Sequence, residues 1–140
     1  MTVRVERTFE LDAPRAAVWA FIADPEKRAR PISVVSDFET TGENTATWHV
    51  KLPIPLVDRT IAIDTEETDR EEEEYVRFVG RSKVMRVMGE HELSESGGKT
   101  LLTNRFVVDG RVPGVESFFK RNLDGELDNL EAALREELGL

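Results

Sequence analysis

The chain has no cysteine, one tyrosine, two tryptophans, two histidines and five lysines, at positions 27, 51, 83, 99 and 120. The missing thiols exclude disulfides, thiolate nucleophiles and cysteine-ligated metals. No apolar run approaches the roughly 18–20 residues of a membrane-spanning helix. The opening Met-Thr-Val-Arg-Val-Glu has no apolar leader core, so a cytoplasmic location is expected. Positive charge is also short: 19 Lys+Arg face 28 Asp+Glu, a net charge of −9. Such a surface repels phosphate backbones and anionic lipid head groups, so nucleic acid is not an expected partner.

Acid excess with so few lysines is the pattern of proteins adapted to high salt, where screening suppresses self-repulsion. Glu136 and Glu137, at the end of the last predicted helix, oppose its dipole, a cost that salt reduces. An ordinary acidic bacterial protein is the alternative. What is present is enough for a core: 140 residues, 39% hydrophobic, read as one domain over 1–140.

Periodicity divides the chain. Val3, Val5, Phe9 and Leu11 alternate with polar residues in a strand whose apolar face is interrupted by Arg7. Asp12 is placed to cap a helix with Pro14 in its first turn. Val18, Phe21 and Ile22 give that helix its apolar face, and Asp24-Pro25 ends it. One further turn is expected over 26–30. From Ile32 to Gly110 the period becomes two. Val34, Ser36 and Phe38 read as one strand, followed by a turn over 41–44 and a strand over 45–52. Pro53 and Pro55 mark a corner. Strands follow over 60–67, 75–81, 84–93 and 100–109, with a solvated acidic tip at 69–74 and a tight hairpin at Ser96-Gly97-Gly98-Lys99. Finally Val115, Phe119, Leu123, Leu127, Leu130, Leu134 and Leu138 recur in steps of four and three, one stripe on a long helix. Gly125 inside that helix allows a kink, a close sheet contact or an exposed glycine.

The segment Phe9-Glu10-Leu11-Asp12-Ala13-Pro14, with Val18-Trp19 and Asp24-Pro25, resembles the opening of the Bet v 1-like, START-domain (SRPBCC) superfamily. Gly80, Gly89, the Gly97-Gly98-Lys99-Thr100 hairpin and the Phe119–Leu134 helix resemble its CoxG and polyketide cyclase/dehydrase branch. The resemblance spans the chain and implies an α+β helix-grip fold. In that fold a curved antiparallel sheet of six to seven strands wraps a long C-terminal helix, with one or two short helices after the first strand. It also implies a hydrophobic cavity between helix and sheet. Members bind lipids, quinones, hormones or polyketides, a minority catalyse cyclisation or dehydration, and CoxG-type members are associated with recruiting carbon monoxide dehydrogenase to membranes.

Few residues suggest chemistry. Gly98-Lys99-Thr100 lacks the upstream glycine of a phosphate loop, since residue 93 is Leu, and lies between strands. The glutamates at 66–67 and 71–74 lack the spacing of a calcium loop. Strand parity turns His91 inward with Val87, Gly89 and Leu93, and His49 outward with Thr47 and Lys51. One inward histidine cannot build a zinc site, so neither metal nor cofactor is expected. Parity also turns Leu102, Asn104, Phe106 and Val108 inward, although a one-residue slip would invert the assignment. A buried Asn104 needs a partner: a ligand, a water or His91. Trp48, Met85, Phe106 and Phe119 are the candidate cavity walls.

Three functions remain open. The first is binding of a small hydrophobic molecule (lipid, quinone or polyketide-like) contacted by Trp48, Met85, His91, Asn104, Phe106 and Phe119. The second is a cyclase/dehydrase-type enzyme with His91 moving a proton. The third is an accessory role beside a redox enzyme, which requires a protein partner.

Overall fold

The computed structural model describes residues 2–55, 57 and 59–140. Seven strands form one antiparallel sheet: β1 (Thr2–Leu11), β2 (Val35–Thr40), β3 (Thr45–Val50), β4 (Ile61–Glu71), β5 (Tyr75–Arg81), β6 (Met85–Ser96) and β7 (Lys99–Gly110). Their order is β1-β7-β6-β5-β4-β3-β2. Helices α1 (Arg15–Ile22) and α2 (Pro25–Ala29) follow β1, and α3 (Val115–Leu138) closes the chain. This is the helix-grip fold, a curved sheet holding a long helix.

The alternation read from sequence sets which face is buried. Trp48 and Val50 on β3, Ile63 on β4, Phe78 on β5, Met85 and Val87 on β6, and Leu102, Phe106 and Val108 on β7 all lie in the core. The same face receives the α3 stripe from Val115 to Leu134. The helix rests on β1 and β7 and beside α1. Arg7, the interruption in the β1 pattern, reaches α3 and pairs with Asp124 and Asp128. The β6–β7 hairpin turns through Gly97 and Gly98, both with positive φ (59° and 83°), as a two-residue type I′ connection requires.

Three local expectations differ. Asp12 does not cap α1: Pro14 holds the N-cap position in extended conformation (ψ 150°), and no side chain caps that end. Asp24 instead caps α2, accepting from the backbone N–H groups of Glu26 (2.9 Å) and Lys27 (3.3 Å). Val34, Ser36 and Phe38 do not form one alternating face, because β2 begins at Val35 and a bulge lies between Val35 and Asp37. One inserted residue reverses the parity, so Val35 and Phe38 are the half-buried residues of that strand. The acidic tip is also shorter than expected. Pairing of β4 with β5 continues to Glu71↔Tyr75 after a bulge between Glu67 and Asp69.

Candidate ligand cavity

The concave face and α3 do not meet everywhere. Between them lies a cavity whose sheet wall is Trp48, Val50, Ile63, Met85, Val87, Phe106 and Val108. Phe119, Leu123, Leu127 and Leu130 of α3 form the opposite wall, and Ile32, Val34 and Val35 close the side after α2. The four aromatic and methionine walls expected from sequence, Trp48, Met85, Phe106 and Phe119, are all brought together here. The cavity encloses about 40 Å³, room for a few water molecules. The cavity is narrow, and a ring-sized occupant requires its walls to move.

Among the described residues two charged side chains reach the wall, Arg28 and Glu126, and each is held by other groups. Arg28 is buried, donates to the carbonyl oxygen of Ile22 (3.0 Å) and to Glu67 (3.1 Å), and lies over the Phe78 ring. Burial lowers its pKa from the ordinary value, and Glu67 opposes that. The Glu126 carboxylate accepts from the backbone N–H of Ser33 (3.1 Å to each oxygen), from Ser33 Oγ (3.1 Å) and from Asn129 Nδ2 (2.9 Å). It thereby ties α3 to the segment that closes the cavity. Neither residue was singled out from sequence. Glu126 was legible there, as a charge three places after Leu123 and four before Leu130, on the apolar stripe. Glu67, expected with the neighbouring glutamates on a solvated face, is instead largely buried, because it follows Ile61, Ile63 and Thr65 inward and pairs with Arg28. Arg28 was not legible, because a five-residue helix is too short to show a face.

His91 and Asn104 are fully buried, but neither belongs to the cavity wall. Phe106, which does, packs edge-on against His91 with centroids 5.5 Å apart, and Phe78 stacks on the imidazole at 6.4 Å. His91 Nδ1 lies 2.7 Å from Asn104 Oδ1, while Asn104 Nδ2 donates to the carbonyls of Arg7 (3.2 Å) and Leu102 (3.3 Å). Burial first, then the charge of Arg28, hold the imidazole pKa down at about 3, against a smaller opposite effect of Asn104. His49 lies on the other face, 2.7 Å from Glu39. Among the described residues no cluster of three His, Asp or Glu is placed to hold a metal ion, and no helix is long and apolar enough to cross a membrane.

A sheet that grips a long helix around an apolar cavity now has named counterparts. The family described as polyketide cyclase/dehydrase and lipid transport matches residues 2–135. The chain belongs to that family. Solved structures share the family's fold at low identity. A START superfamily protein from Mycobacterium smegmatis is 14% identical with a TM-score of 0.74, covering 95% of this chain and 94% of its own. The Zhui aromatase/cyclase from Streptomyces sp. R1128 is 17% identical, with a TM-score of 0.71 and coverage of 96% and 95%. A conserved protein from Geobacillus kaustophilus is 16% identical, with a TM-score of 0.77 and coverage of 98% and 95%. No curated protein matches the sequence significantly. At these identities the family's fold is shared and its activities are not transferred.

Proposed function

We propose that this chain binds one small, largely apolar molecule between α3 and the sheet, with Trp48, Met85, Phe106 and Phe119 as contact walls. The observation that carries this reading is the lining. Apart from Arg28 and Glu126, each engaged by other protein groups, every wall residue among the described residues is apolar. Affinity then comes from buried apolar area, at roughly 25 cal/mol per Å². A lipid chain, a quinone or a polyketide-like ring system matches that surface. Burial of a charged head group inside would cost far more than it returned.

The cyclase/dehydrase reading draws on the family and on the Streptomyces aromatase/cyclase among structures of like fold. It is weaker for this chain because an imidazole with a pKa near 3 is neutral at pH 7 and a poor proton carrier. The accessory role beside a redox enzyme rests on the CoxG resemblance alone.

Native mass spectrometry of the full chain with a fatty acid, a naphthoquinone and a naphthol tests the proposal. A one-to-one adduct whose ligand is released with unchanged mass is the expected result. Absence of any adduct overturns binding, and a converted ligand mass replaces it with the enzyme reading.

A further inference from the structure

Resting on the binding reading above, the hydrogen-bond network around His91 limits what a ligand could offer it. Asn104 Nδ2 donates to two backbone carbonyls, those of Arg7 and Leu102, which can only accept. That sets the orientation of the amide, so the atom facing His91 is the carbonyl oxygen, 2.7 Å from Nδ1. A carbonyl oxygen accepts, so Nδ1 carries the proton. In a neutral ring the other nitrogen, Nε2, then presents a lone pair. Nε2 is buried and has no hydrogen-bond partner among the described residues.

One ring packed against this imidazole is part of the cavity wall. Phe106 lines the cavity and packs its ring edge-on against the imidazole. Phe106 and Phe78 converge over Gly89, where a Cβ would lie 2.3 Å from Phe78 Cε1 and 3.1 Å from Phe106 Cε1. Phe106 therefore touches both the cavity and the imidazole, at a position where Gly89 supplies no side chain of its own.

We propose that His91 Nε2 is a hydrogen-bond-accepting subsite at the floor of the cavity, engaged by a neutral hydroxyl of the ligand when the Phe106 ring is displaced. The polarity is specific. A ligand carbonyl has no proton to give, so a quinone or ester oxygen leaves Nε2 as unpaired as before. An ammonium donor would carry a charge into an apolar site beside the guanidinium of Arg28, which lies over Phe78. A phenol or alcohol on an apolar body satisfies the lone pair without either penalty. Among the three ligand classes open from sequence, hydroxylated ring systems are thereby favoured over quinones.

The test uses a naphthol and the methylnaphthalene substituted at the same ring position, which match in volume and differ in the donor. Heteronuclear NMR of the wild-type imidazole nitrogens is the primary readout. The naphthol is expected to move the Nε2 resonance toward its hydrogen-bonded value and to leave Nδ1 unmoved, and methylnaphthalene to leave both unmoved. In the second measurement, His91→Leu is expected to lower the naphthol-to-methylnaphthalene affinity ratio by about tenfold, the scale of one lost hydrogen bond. Both probes binding with Nε2 unmoved overturns the subsite and leaves the apolar cavity standing. An Nε2 resonance already at its hydrogen-bonded value before any probe is added, and unchanged after, also overturns it, by assigning the acceptor to an internal water. Binding of neither probe overturns the cavity and the subsite together. The wild-type NMR result decides even if His91→Leu fails to fold.

Discussion

His91 shows how one side chain's environment decides its chemistry. A histidine at the ordinary pKa of 6.5 is a proton carrier near neutrality, but burial pulls this one to about 3. The unfolded chain then binds a proton that the folded chain refuses. The contribution of His91 to stability is therefore complete above pH 6.5 and is lost as pH falls toward 3. Between pH 6.5 and about 5, before most carboxylates titrate, wild-type stability should fall by up to about 1.4 kcal/mol per pH unit. His91→Gln, whose amide can still donate to Asn104, should flatten that slope in urea melts recorded across the window. An unchanged slope would assign the acid sensitivity to other groups.

Gly89 is the residue-scale counterpart. Its absent side chain is space that Phe78 uses, with a Cβ only 2.3 Å from Cε1 and 2.6 Å from Cζ of that ring. Gly89→Ala should cost roughly 1–3 kcal/mol through overpacking, read as a lower urea midpoint. A neutral outcome would mean that the Phe78 ring is free to retreat.

At the scale of elements, α3 was the most legible. Seven residues at steps of three and four predict its bounds, and the stripe from Val115 to Leu134 is buried. Its internal Gly125 is exposed, and a Cβ there would meet nothing within 4 Å, so neither a kink nor a close contact requires it. Gly125→Ala should raise stability by up to about 1 kcal/mol, through helix propensity alone. The opposite substitution effects at Gly89 and Gly125, measured in the same melts, separate a glycine needed for packing from one that is not. The elements that sequence reading misplaced are those where one residue changes the phase. The bulge at Val35/Asp37 reversed the expected faces of β2. The extended Pro14 took the N-cap position of α1 and left Asp12 outside it. Such insertions depend on what the partner strand or following helix requires, and the local pattern does not carry that information.

For the whole molecule, net charge is the property that no single element explains. Ion pairs such as Lys27–Glu137 (3.1 Å) and Arg105–Glu6 (2.8 Å) offset some of the acidic excess, including part of the unfavourable charge at the end of α3. Exposed pairs of this kind contribute little each and weaken in salt, whereas self-repulsion among the remaining carboxylates is relieved by it. If the acidic surface is an adaptation to salt, the melting temperature should keep rising above about 0.5 M KCl, where the Debye length is only a few ångström. A flat response there would make this an ordinary acidic protein.

By itself the sequence determined the order of elements, the inward face of most strands and the helix stripe, because burial on one face imposes a period that a single chain records. It also named Trp48, Met85, Phe106 and Phe119, which the fold gathers around one cavity. Only the tertiary structure decided that His91 and Asn104 lie outside that cavity's lining, that their mutual hydrogen bond leaves Nε2 as an acceptor, and that Arg28 and Glu126 reach the wall. Those facts depend on contacts between β1, β6, β7, α2 and α3. Distances across packed elements, and the desolvation that shifts a buried imidazole, do not exist until the chain has folded.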